Sequence, residues 1–283
     1  MYDPVIIYLL LIMVASIVAG IIGALGGLGG GVLIVPFLSL YFKVPISLAI
    51  GASIVSVIAT SSGSAAAYVR DKISNIRIGT FLVLFTTTGA ILGAFLEHII
   101  PERALFIIFG LVLVISIIPL VKKIGEEMPS EVKNAPIAEK LSLNSEYHDG
   151  VLKKNIKYNV TGVKSGSAMM FMAGVISGLL GIGSGAFKVL AMDLAMKLPI
   201  KVSTTTSNFM IGVTAAASAG IYFFTGDVNP FIAAPVAIGV LLGAITGTKI
   251  LVRIRSSSVR KIFAIIILIV GIEMLLRGMG VAV

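Results

Sequence analysis

The stretch Gly20-Ile-Ile-Gly23-Ala-Leu-Gly26-Gly27-Leu-Gly29-Gly30-Gly31 lies inside a long apolar run that Pro36 closes, and seven of its twelve residues are glycine. Each glycine costs up to about 1 kcal/mol relative to alanine in a helix interior, so the stretch predicts a helix break. Inside a bilayer, open backbone is tolerated only where protein or a water-filled cavity surrounds it. A helix that starts after the break directs unpaired N–H groups and its positive dipole end into that cavity, which favours an anion.

The pattern occurs again 154 residues later, as Ala173-Gly174-Val-Ile-Ser-Gly178-Leu-Leu-Gly181-Ile-Gly183-Ser184-Gly185. An ungapped comparison of 19–68 with 173–222 gives 17 identities in 50 positions, well above what apolar composition alone would give. The identical pairs include Gly31/Gly185, Lys43/Lys197, Pro45/Pro199, Ser53/Ser207 and Thr60/Thr214. The sequence therefore indicates a duplicated protein with one glycine break in each half.

The composition is that of a membrane protein. The chain is 57% hydrophobic and 12% charged, with a mean hydropathy of +1.08, and several runs reach the roughly 20 apolar residues that span a bilayer. There is no cysteine, which excludes disulfides and thiolate metal sites. The net charge is +9, and the basic residues lie between hydrophobic segments. This pattern indicates positive-inside topology rather than nucleic-acid binding. Asp3 is the only charge before the first apolar run, and we expect that segment to be retained.

The chain divides into a first transmembrane repeat at 1–121, a polar central linker at 122–164 and a second transmembrane repeat at 165–283. We expect an all-α integral membrane protein with about five segments in each repeat. The pieces 31–42 and 186–197 are half-helices, because twelve helical residues rise only about 18 Å against a roughly 30 Å hydrocarbon core. The linker carries eight lysines and six acidic residues, which predicts a solvated surface with a short helix near 137–143.

Loop charges indicate that the repeats are inverted. Loop 70–77 has three basic residues and one acidic residue, whereas its counterpart 225–230 has one acidic residue. Loop 97–103 has two acidic residues and one basic residue, whereas its counterpart 249–261 has five basic residues. Since basic loops stay cytoplasmic, equivalent loops lie on opposite sides, with both termini outside and the linker inside. The alternative is a parallel pair of repeats, each with four crossings and a re-entrant loop.

Lys188 is the sharpest candidate for chemistry. Its counterpart is Ile34, and it lies three residues after Gly185, near the start of the second half-helix. A lysine at mid-membrane costs about 2.5–3.5 kcal/mol, so we expect its ammonium to offset a substrate charge. The alternatives are snorkelling to an interface or pairing with a carboxylate. Asp193 is a candidate for ion coupling, and the alternative is an i,i+4 pair with Lys197.

The run Thr204-Thr205-Thr206-Ser207-Asn208 offers hydroxyls and an amide to anion oxygens, and the alternative is helix capping. Glu97 and His98 fall at a segment end, where we expect solvation. Nothing indicates a nucleophile with its base, a metal site or a cofactor, and the glycines lack the strand of a dinucleotide fold, so we expect no enzyme. The predicted substrate-binding residues are Gly29, Gly30, Gly31, Ser53, Gly183, Ser184, Gly185, Lys188, Thr206, Ser207 and Asn208.

Two glycine breaks, each followed by a short helix, a proline and a segment with serine or threonine, resemble the sulfite exporter TauE/SafE family over nearly the whole chain. The first motif, Gly-Gly-Leu-Gly-Gly-Gly-Val-Leu-Ile-Val-Pro36, carries the resemblance most specifically. The second motif departs from it, with Ser184 for a glycine and Leu190 where the proline would be.

The resemblance implies a plasma-membrane permease or exporter that moves sulfite or organosulfonates by alternating access. The expected partners are a small anion, the lipid bilayer and H⁺ or Na⁺ as a coupling ion, with no nucleic acid. Oligomeric state and direction of transport stay open. The alternatives are a cation or metal-ion transporter or channel, which would need acidic residues at the midplane, and an accessory membrane subunit.

Overall fold

The computed structural model describes residues 4–26, 31–70, 74–121, 132–149, 154–251 and 256–281. Large apolar side chains cover much of the outer surface, among them Phe224 and Phe231, which are 90% and 75% exposed. Such a surface suits lipid rather than water. Helices long and apolar enough to cross a membrane occur five times in these ranges, at Val5–Gly23, Ile76–Ile99, Val163–Leu180, Ile200–Phe224 and Pro230–Gly247. The expected all-α integral membrane class is confirmed.

The first half contains five helices in the described ranges. They are α1 (Pro4–Gly26), α2 (Gly31–Pro36, continued by the π-helical turn Phe37–Tyr41), α3 (Ile46–Arg70), α4 (Ile76–Ile99) and α5 (Glu102–Val121). The half-helix expected at 31–42 is thus confirmed as α2 and its π-helical turn. Gly29 and Gly30 of the first break lie outside the described residues.

The described part of the linker is not the purely solvated surface that its charges predict. It forms α6 (Pro136–Lys140) and an antiparallel hairpin of β1 (Ser145–Asp149) and β2 (Lys154–Tyr158). Alternate side chains of a strand point to the same face, so Tyr147, Ile156 and Tyr158 are buried although charged residues separate them. They share one apolar cluster with residues of both halves, including Ile78 and Met192.

The second half repeats the order of the first. It consists of α7 (Val163–Leu180), α8 (Gly185–Leu190, continued by the π-helical turn Ala191–Ala195), α9 (Ile200–Phe224), α10 (Pro230–Leu251) and α11 (Ser256–Gly278). The half-helix expected at 186–197 corresponds to α8 and its π-helical turn. The break before it is wider than the expected 183–185, because α7 already ends at Leu180.

The two halves interlock rather than lie side by side. Helix α1 packs along α10, and α7 packs along α4 in the same way, while α3 pairs with α9 and α5 with α11. Glycines allow backbones to touch at both of the first two contacts. An added Cβ would lie 2.5 Å from the Val240 carbonyl oxygen at Gly20 and 2.0 Å from that of Ala90 at Gly178. The first helix of each half therefore packs against a helix of the other half.

The equivalent helices α3 and α9 run in opposite directions. Near the start of α3, Ser47 bonds Glu97 at the end of α4, and Gly51 approaches Asp227, just after α9 ends. Near the start of α9, Thr206 instead accepts a hydrogen bond from Asn75, the residue before α4 begins. Inverted repeats require such an antiparallel pair. Inversion of the complete repeats, and their sidedness, stay predictions.

Candidate functional site

The second break is a buried segment of left-handed backbone. Gly181, Gly183 and Ser184 have φ angles of 65°, 73° and 45°, a region that side chains with a Cβ rarely adopt. A Cβ at Gly181 would also lie 2.9 Å from the Ile50 carbonyl oxygen, so α3 leaves no room for one. The glycine-rich sequence is therefore needed both for the turn and for close packing against α3.

Ser53 holds the two breaks together. Its single hydroxyl hydrogen is shared between the Gly181 carbonyl oxygen at 2.8 Å and the Gly31 carbonyl oxygen at 3.2 Å, so one serine of α3 contacts both breaks. Its counterpart Ser207 on α9 donates to the Gly185 carbonyl oxygen at 3.2 Å. Both serines were expected to donate to an anion. In this structure their hydrogens are directed at backbone carbonyls, so they position the half-helices.

The remaining hydroxyls of the run on α9 do not act as caps. The residue before α9 is Pro199, which makes no side-chain cap, so capping does not explain the run. The Thr206 hydroxyl accepts the Asn75 backbone N–H at 3.0 Å and thereby joins α9 to the start of α4. Asn208 lies half-buried on α9.

Lys188 is fully buried, with 0% of its surface exposed. Its ammonium donates to the Thr214 hydroxyl oxygen at 3.1 Å. Among the described residues, no carboxylate forms an ion pair with it, and its role in substrate binding stays a prediction. An ammonium has three N–H donors, so a single hydroxyl leaves most of its hydrogen-bonding capacity unused.

The Lys188 ammonium lies near the middle of two spanning helices. Thr214, near the midpoint of α9, is 3.0 Å from the Thr86 hydroxyl, near the midpoint of α4. The Thr214 hydroxyl donates to the Met210 carbonyl oxygen at 2.7 Å, which turns its lone pairs toward Lys188 and Thr86. Sequence reasoning missed both threonines. The identity of Thr60 and Thr214 between the repeats was a signal for Thr214, and Thr86 had none.

Ser184 adds a second unsatisfied polar group to the same break. It is 3% exposed, and its hydroxyl has no hydrogen-bond partner. A buried hydroxyl without a partner costs about 1–3 kcal/mol, so such groups call for an explanation. Ser184 directly precedes α8, whose first N–H groups have no partner within the helix. Ser184 and the start of α8 thus offer unpaired donors, and Lys188 adds a positive charge without a counter-charge among the described residues.

Asp193, the candidate for ion coupling, is also buried. It lies on the π-helical turn that continues α8 and is 8% exposed. Its side-chain pairing with Lys197 stays a prediction. What the backbone shows is that the Asp193 carbonyl accepts the Lys197 N–H at 3.1 Å.

The expectation of solvation at the end of α4 is wrong for Glu97. Its side chain is only 2% exposed and accepts a hydrogen bond from Ser47 at 2.6 Å. The sequence placed it at a segment end correctly, but α3 and the loop after α9 cover it there.

An open apolar groove of about 600 Å³ lies elsewhere, on α4, α6 and α7. None of the predicted site residues lines it, so we do not assign it to the substrate. Its lining residues are Phe81, Phe85, Ile137, Val163, Lys164, Ser167, Ala168, Phe171 and Met172.

Comparison with known proteins finds a family of membrane proteins and several relatives. The family model described as sulfite exporter TauE/SafE matches residues 12–274. The probable membrane transporter protein YunE of Bacillus subtilis (strain 168) is 27% identical over 281 residues, which cover 95% of this chain and 97% of the relative. The probable membrane transporter protein MJ0441 of Methanocaldococcus jannaschii is 25% identical, with 94% and 95% covered.

A third relative, the probable membrane transporter protein YdhB of Bacillus subtilis (strain 168), is 26% identical over 85% of this chain and 89% of its own length. No solved structure matches the chain. The family match spans both breaks and both half-helices, and it covers the spanning helices except the first residues of α1 and the last of α11. The chain therefore belongs to the TauE/SafE family and is a multi-pass membrane transporter.

Proposed function

We propose that this transporter carries small anions, with sulfite or organosulfonates as the substrate class, by alternating access. The single observation that carries the proposal is the fully buried Lys188 ammonium, whose described partner is one neutral hydroxyl. A buried charge without a counter-charge is costly in a membrane, by about 2.5–3.5 kcal/mol. A bound anion supplies that counter-charge, and a bound cation would raise the cost further.

The neighbouring groups suit an oxyanion. Ser184 offers a buried hydroxyl, and the backbone of Gly183, Ser184 and Gly185 leads into the start of α8. Sulfite and sulfonates present several acceptor oxygens on one sulfur, which suits the several donors that Ser184, the start of α8 and Lys188 supply within a few residues. Because the first break is equivalent to the second in sequence, we propose that Gly29, Gly30 and Gly31 also contact the substrate. We propose the same for Asn208. Ser53 and Ser207 hold the backbone in place.

Alternating access follows from where the site lies. Lys188 and Thr214 have no exposed surface, so a ligand reaches the ammonium only after helices move. The ammonium contacts α9 of the second half, which bonds α4 of the first half, near the middle of both helices. A relative motion of the halves would open the site to one side or the other. H⁺ or Na⁺ is the proposed coupling ion, with Asp193 as its candidate residue.

Flux measurements in proteoliposomes with sulfite, taurine, sulfate and chloride test the function directly. Melting curves test the residue: Lys188→Met should raise the melting temperature without ligand, since an uncompensated charge is removed, and should abolish the shift produced by sulfite. Lys188→Arg keeps the charge but alters its shape and should bind weakly. The control is Lys164→Met, the same change at an exposed lysine at the start of α7.

Two outcomes would contradict the proposal. A sulfite-induced shift that persists in Lys188→Met would remove the lysine from the site. A lower melting temperature of Lys188→Met without ligand would show that the ammonium neutralises a carboxylate of the protein instead.

A further inference from the structure

A cluster of titratable groups lies far from Lys188, at the end of the molecule where α4 and α9 finish. Glu97 and His98 stand on the last turn of α4, and Asp227 follows α9. His98 Nε2 is 2.8 Å from Asp227 Oδ2, and His98 Nδ1 is 3.3 Å from Glu97 Oε2. The transporter mechanism proposed above makes no use of these groups.

The surroundings of His98 fit a doubly protonated ring. Its Nδ1 lies 2.9 Å from the Ala94 carbonyl oxygen, and its Nε2 faces the Asp227 carboxylate. A carbonyl and an ionised carboxylate only accept hydrogen bonds, so each ring nitrogen has to donate. The imidazolium is therefore the form that satisfies both contacts. Among the described residues, the titratable groups that face His98 are Glu97 from its own helix, Tyr222 of α9 and Asp227.

Glu97 is the buried end of the cluster. The side chains of His98 and Asp227 are 31% and 19% exposed, whereas that of Glu97 is 1% exposed. Ser47 donates to Glu97 Oε1, whereas Glu97 Oε2 accepts no hydrogen bond and lies 3.3 Å from His98 Nδ1, whose hydrogen is directed at the Ala94 carbonyl oxygen. A buried carboxylate oxygen without a donor is costly, and a proton on that oxygen relieves the cost. Water can therefore reach His98, whereas Glu97 Oε2 is buried and able to hold a proton.

The spacing suits protons better than a metal ion. The donor atoms of Glu97, His98 and Asp227 all lie within 4.8 Å of one another. Two ligands of a tetrahedral zinc ion, each about 2.0 Å from the metal, are about 3.3 Å apart. The 2.8 Å between His98 Nε2 and Asp227 Oδ2 is instead the length of a charge-assisted hydrogen bond.

We propose that Glu97, His98 and Asp227 form a proton-binding site through which proton entry is coupled to anion transport. The coupling part rests on the proposed function. In the step itself, the N–H bond at His98 Nδ1 breaks and an O–H bond forms at Glu97 Oε2. An imidazolium and a carboxylate become a neutral imidazole and a neutral carboxyl, and a proton from water restores the imidazolium.

Helix α3 connects this site with the breaks. Glu97 accepts a hydrogen bond from Ser47 at the start of α3, and Ser53 on the same helix bonds the carbonyls of Gly31 and Gly181. Neutralising Glu97 turns a charge-assisted bond from Ser47 into a weaker neutral one. Protonation of Glu97 therefore weakens the contact between α4 and α3, the helix whose Ser53 contacts both breaks.

The main test measures how an imposed pH gradient changes the rate of sulfite transport. The flux of sulfite into proteoliposomes is measured with and without an imposed gradient, and the ratio of the two rates is compared between variants. We expect the ratio to exceed 1 in the wild type and to fall to about 1 in Glu97→Gln and His98→Gln. The control Glu102→Gln removes an exposed carboxylate at the same end of the molecule and should keep the wild-type ratio. Asp193→Asn is measured beside it, and a loss of the ratio there alone would overturn the assignment to Glu97.

A second measurement does not depend on transport. Melting temperatures of purified wild type and His98→Gln are compared from about pH 5 to pH 8, where histidine titrates. The advantage of the wild type should be present at the acidic end and shrink as the pH rises, because His98 then loses the proton that its acceptors require. A pH-independent difference would overturn the proton site. If zinc raised the melting temperature of the wild type but not that of His98→Gln, the cluster would be a metal site rather than a proton site.

The two readouts separate the two proposals. If no anion is transported but the melting difference depends on pH as expected, the anion function fails and the proton site stands. If sulfite is transported with the same gradient ratio in all variants, the anion function stands and the coupling proposal is wrong.

Discussion

The two half-helices have the same backbone and different chemistry. Each consists of six α-helical residues and a five-residue π-helical turn, and each is followed by a lysine in left-handed conformation, Lys43 with φ 56° and Lys197 with φ 58°. A serine on the next helix bonds the first carbonyl of each, at 3.2 Å in both cases. Side chains differ where chemistry is expected: Ile34 corresponds to Lys188, and Ser39 corresponds to Asp193. The two half-helices thus share a backbone and differ in the side chains at these two positions.

A single positive charge is the arrangement expected for one small anion. The two breaks meet at Ser53, so charges on both half-helices would lie close to each other in a medium that screens poorly. Ile34 is 1% exposed and belongs to the main apolar cluster. The first half-helix therefore supplies packing, and the second supplies charge.

The most damaging change should be one that makes the two half-helices alike. Ile34→Lys places an ammonium in an apolar environment, and we expect it to destabilise the protein by at least about 2.5–3.5 kcal/mol. Ile34→Met is the matched control, with similar length and no charge. Melting temperatures of both variants in detergent check the prediction. Equal melting temperatures would show that the first half-helix also provides a polar site.

Alanine at Gly31 and at Gly185, the first residues of α2 and α8, should reduce stability to different extents. At Gly31 a Cβ would lie 2.5 Å from Val57 Cγ2 and 2.9 Å from Ser53 Oγ, and a β-branched side chain has little freedom to move. At Gly185 the nearest atom, 2.8 Å away, is the terminal Cδ1 of Ile211, which can rotate aside. We expect a loss of about 1–3 kcal/mol for Gly31→Ala and less for Gly185→Ala. Melting curves measure both, and the reverse order would contradict the described packing.

Ser53→Ala should cost more than Ser207→Ala. Ser53 bonds the carbonyls of both breaks, Gly31 and Gly181, whereas the bond described for Ser207 is the one to Gly185. Leaving a buried carbonyl unpaired costs about 1–3 kcal/mol. We expect the larger loss for Ser53→Ala, together with slower sulfite flux because both breaks are released. Thermal melting and flux assays on the two variants provide the comparison, and equal effects would argue against a bridging role.

Cysteine labelling tests whether the equivalent ends face opposite sides, with little effect on stability expected. The chain has no native cysteine. Ser145→Cys lies exposed in the linker, and Thr225→Cys lies exposed after α9. In intact cells an impermeant maleimide should label Thr225→Cys, and Ser145→Cys only after permeabilisation. Labelling of Ser145→Cys from outside would reverse the predicted topology.

The sequence was informative about everything that depends on local backbone preference or on repetition. Glycines that cannot sustain a helix predicted a break at 183–185, which the structure widens to 181–184, and the short apolar pieces predicted both half-helices. The departure of Lys188 from its counterpart Ile34 singled out the residue that the structure buries without an acidic partner.

What the sequence could not predict depends on which helices lie side by side. The spanning helices are apolar on all faces, so periodicity does not separate the lipid side from the protein side. Thr86 reaches Thr214 from another helix 128 positions away, and α3 covers Glu97. The linker was misjudged for a related reason. Its charges are real, but two short strands direct Tyr147 and Tyr158 to one buried face, and burial raises the pKa of the Tyr158 hydroxyl.

The pairing of α1 with α10 constrains the order of biosynthesis. Helix α1 is made long before α10, yet the side that carries Ser16 and Gly20 packs on glycines Gly239 and Gly243 of α10. Until residue 230 and its helix are inserted, that side of α1 faces lipid, and α7 meanwhile pairs with α4 as soon as it is made. Helix α1 therefore completes its packing only after α10 is made, and the packing of α11 on α5 follows. Two halves translated from separate messages would reach the same structure only by exchanging their first helices, α1 for α7, across the junction between them.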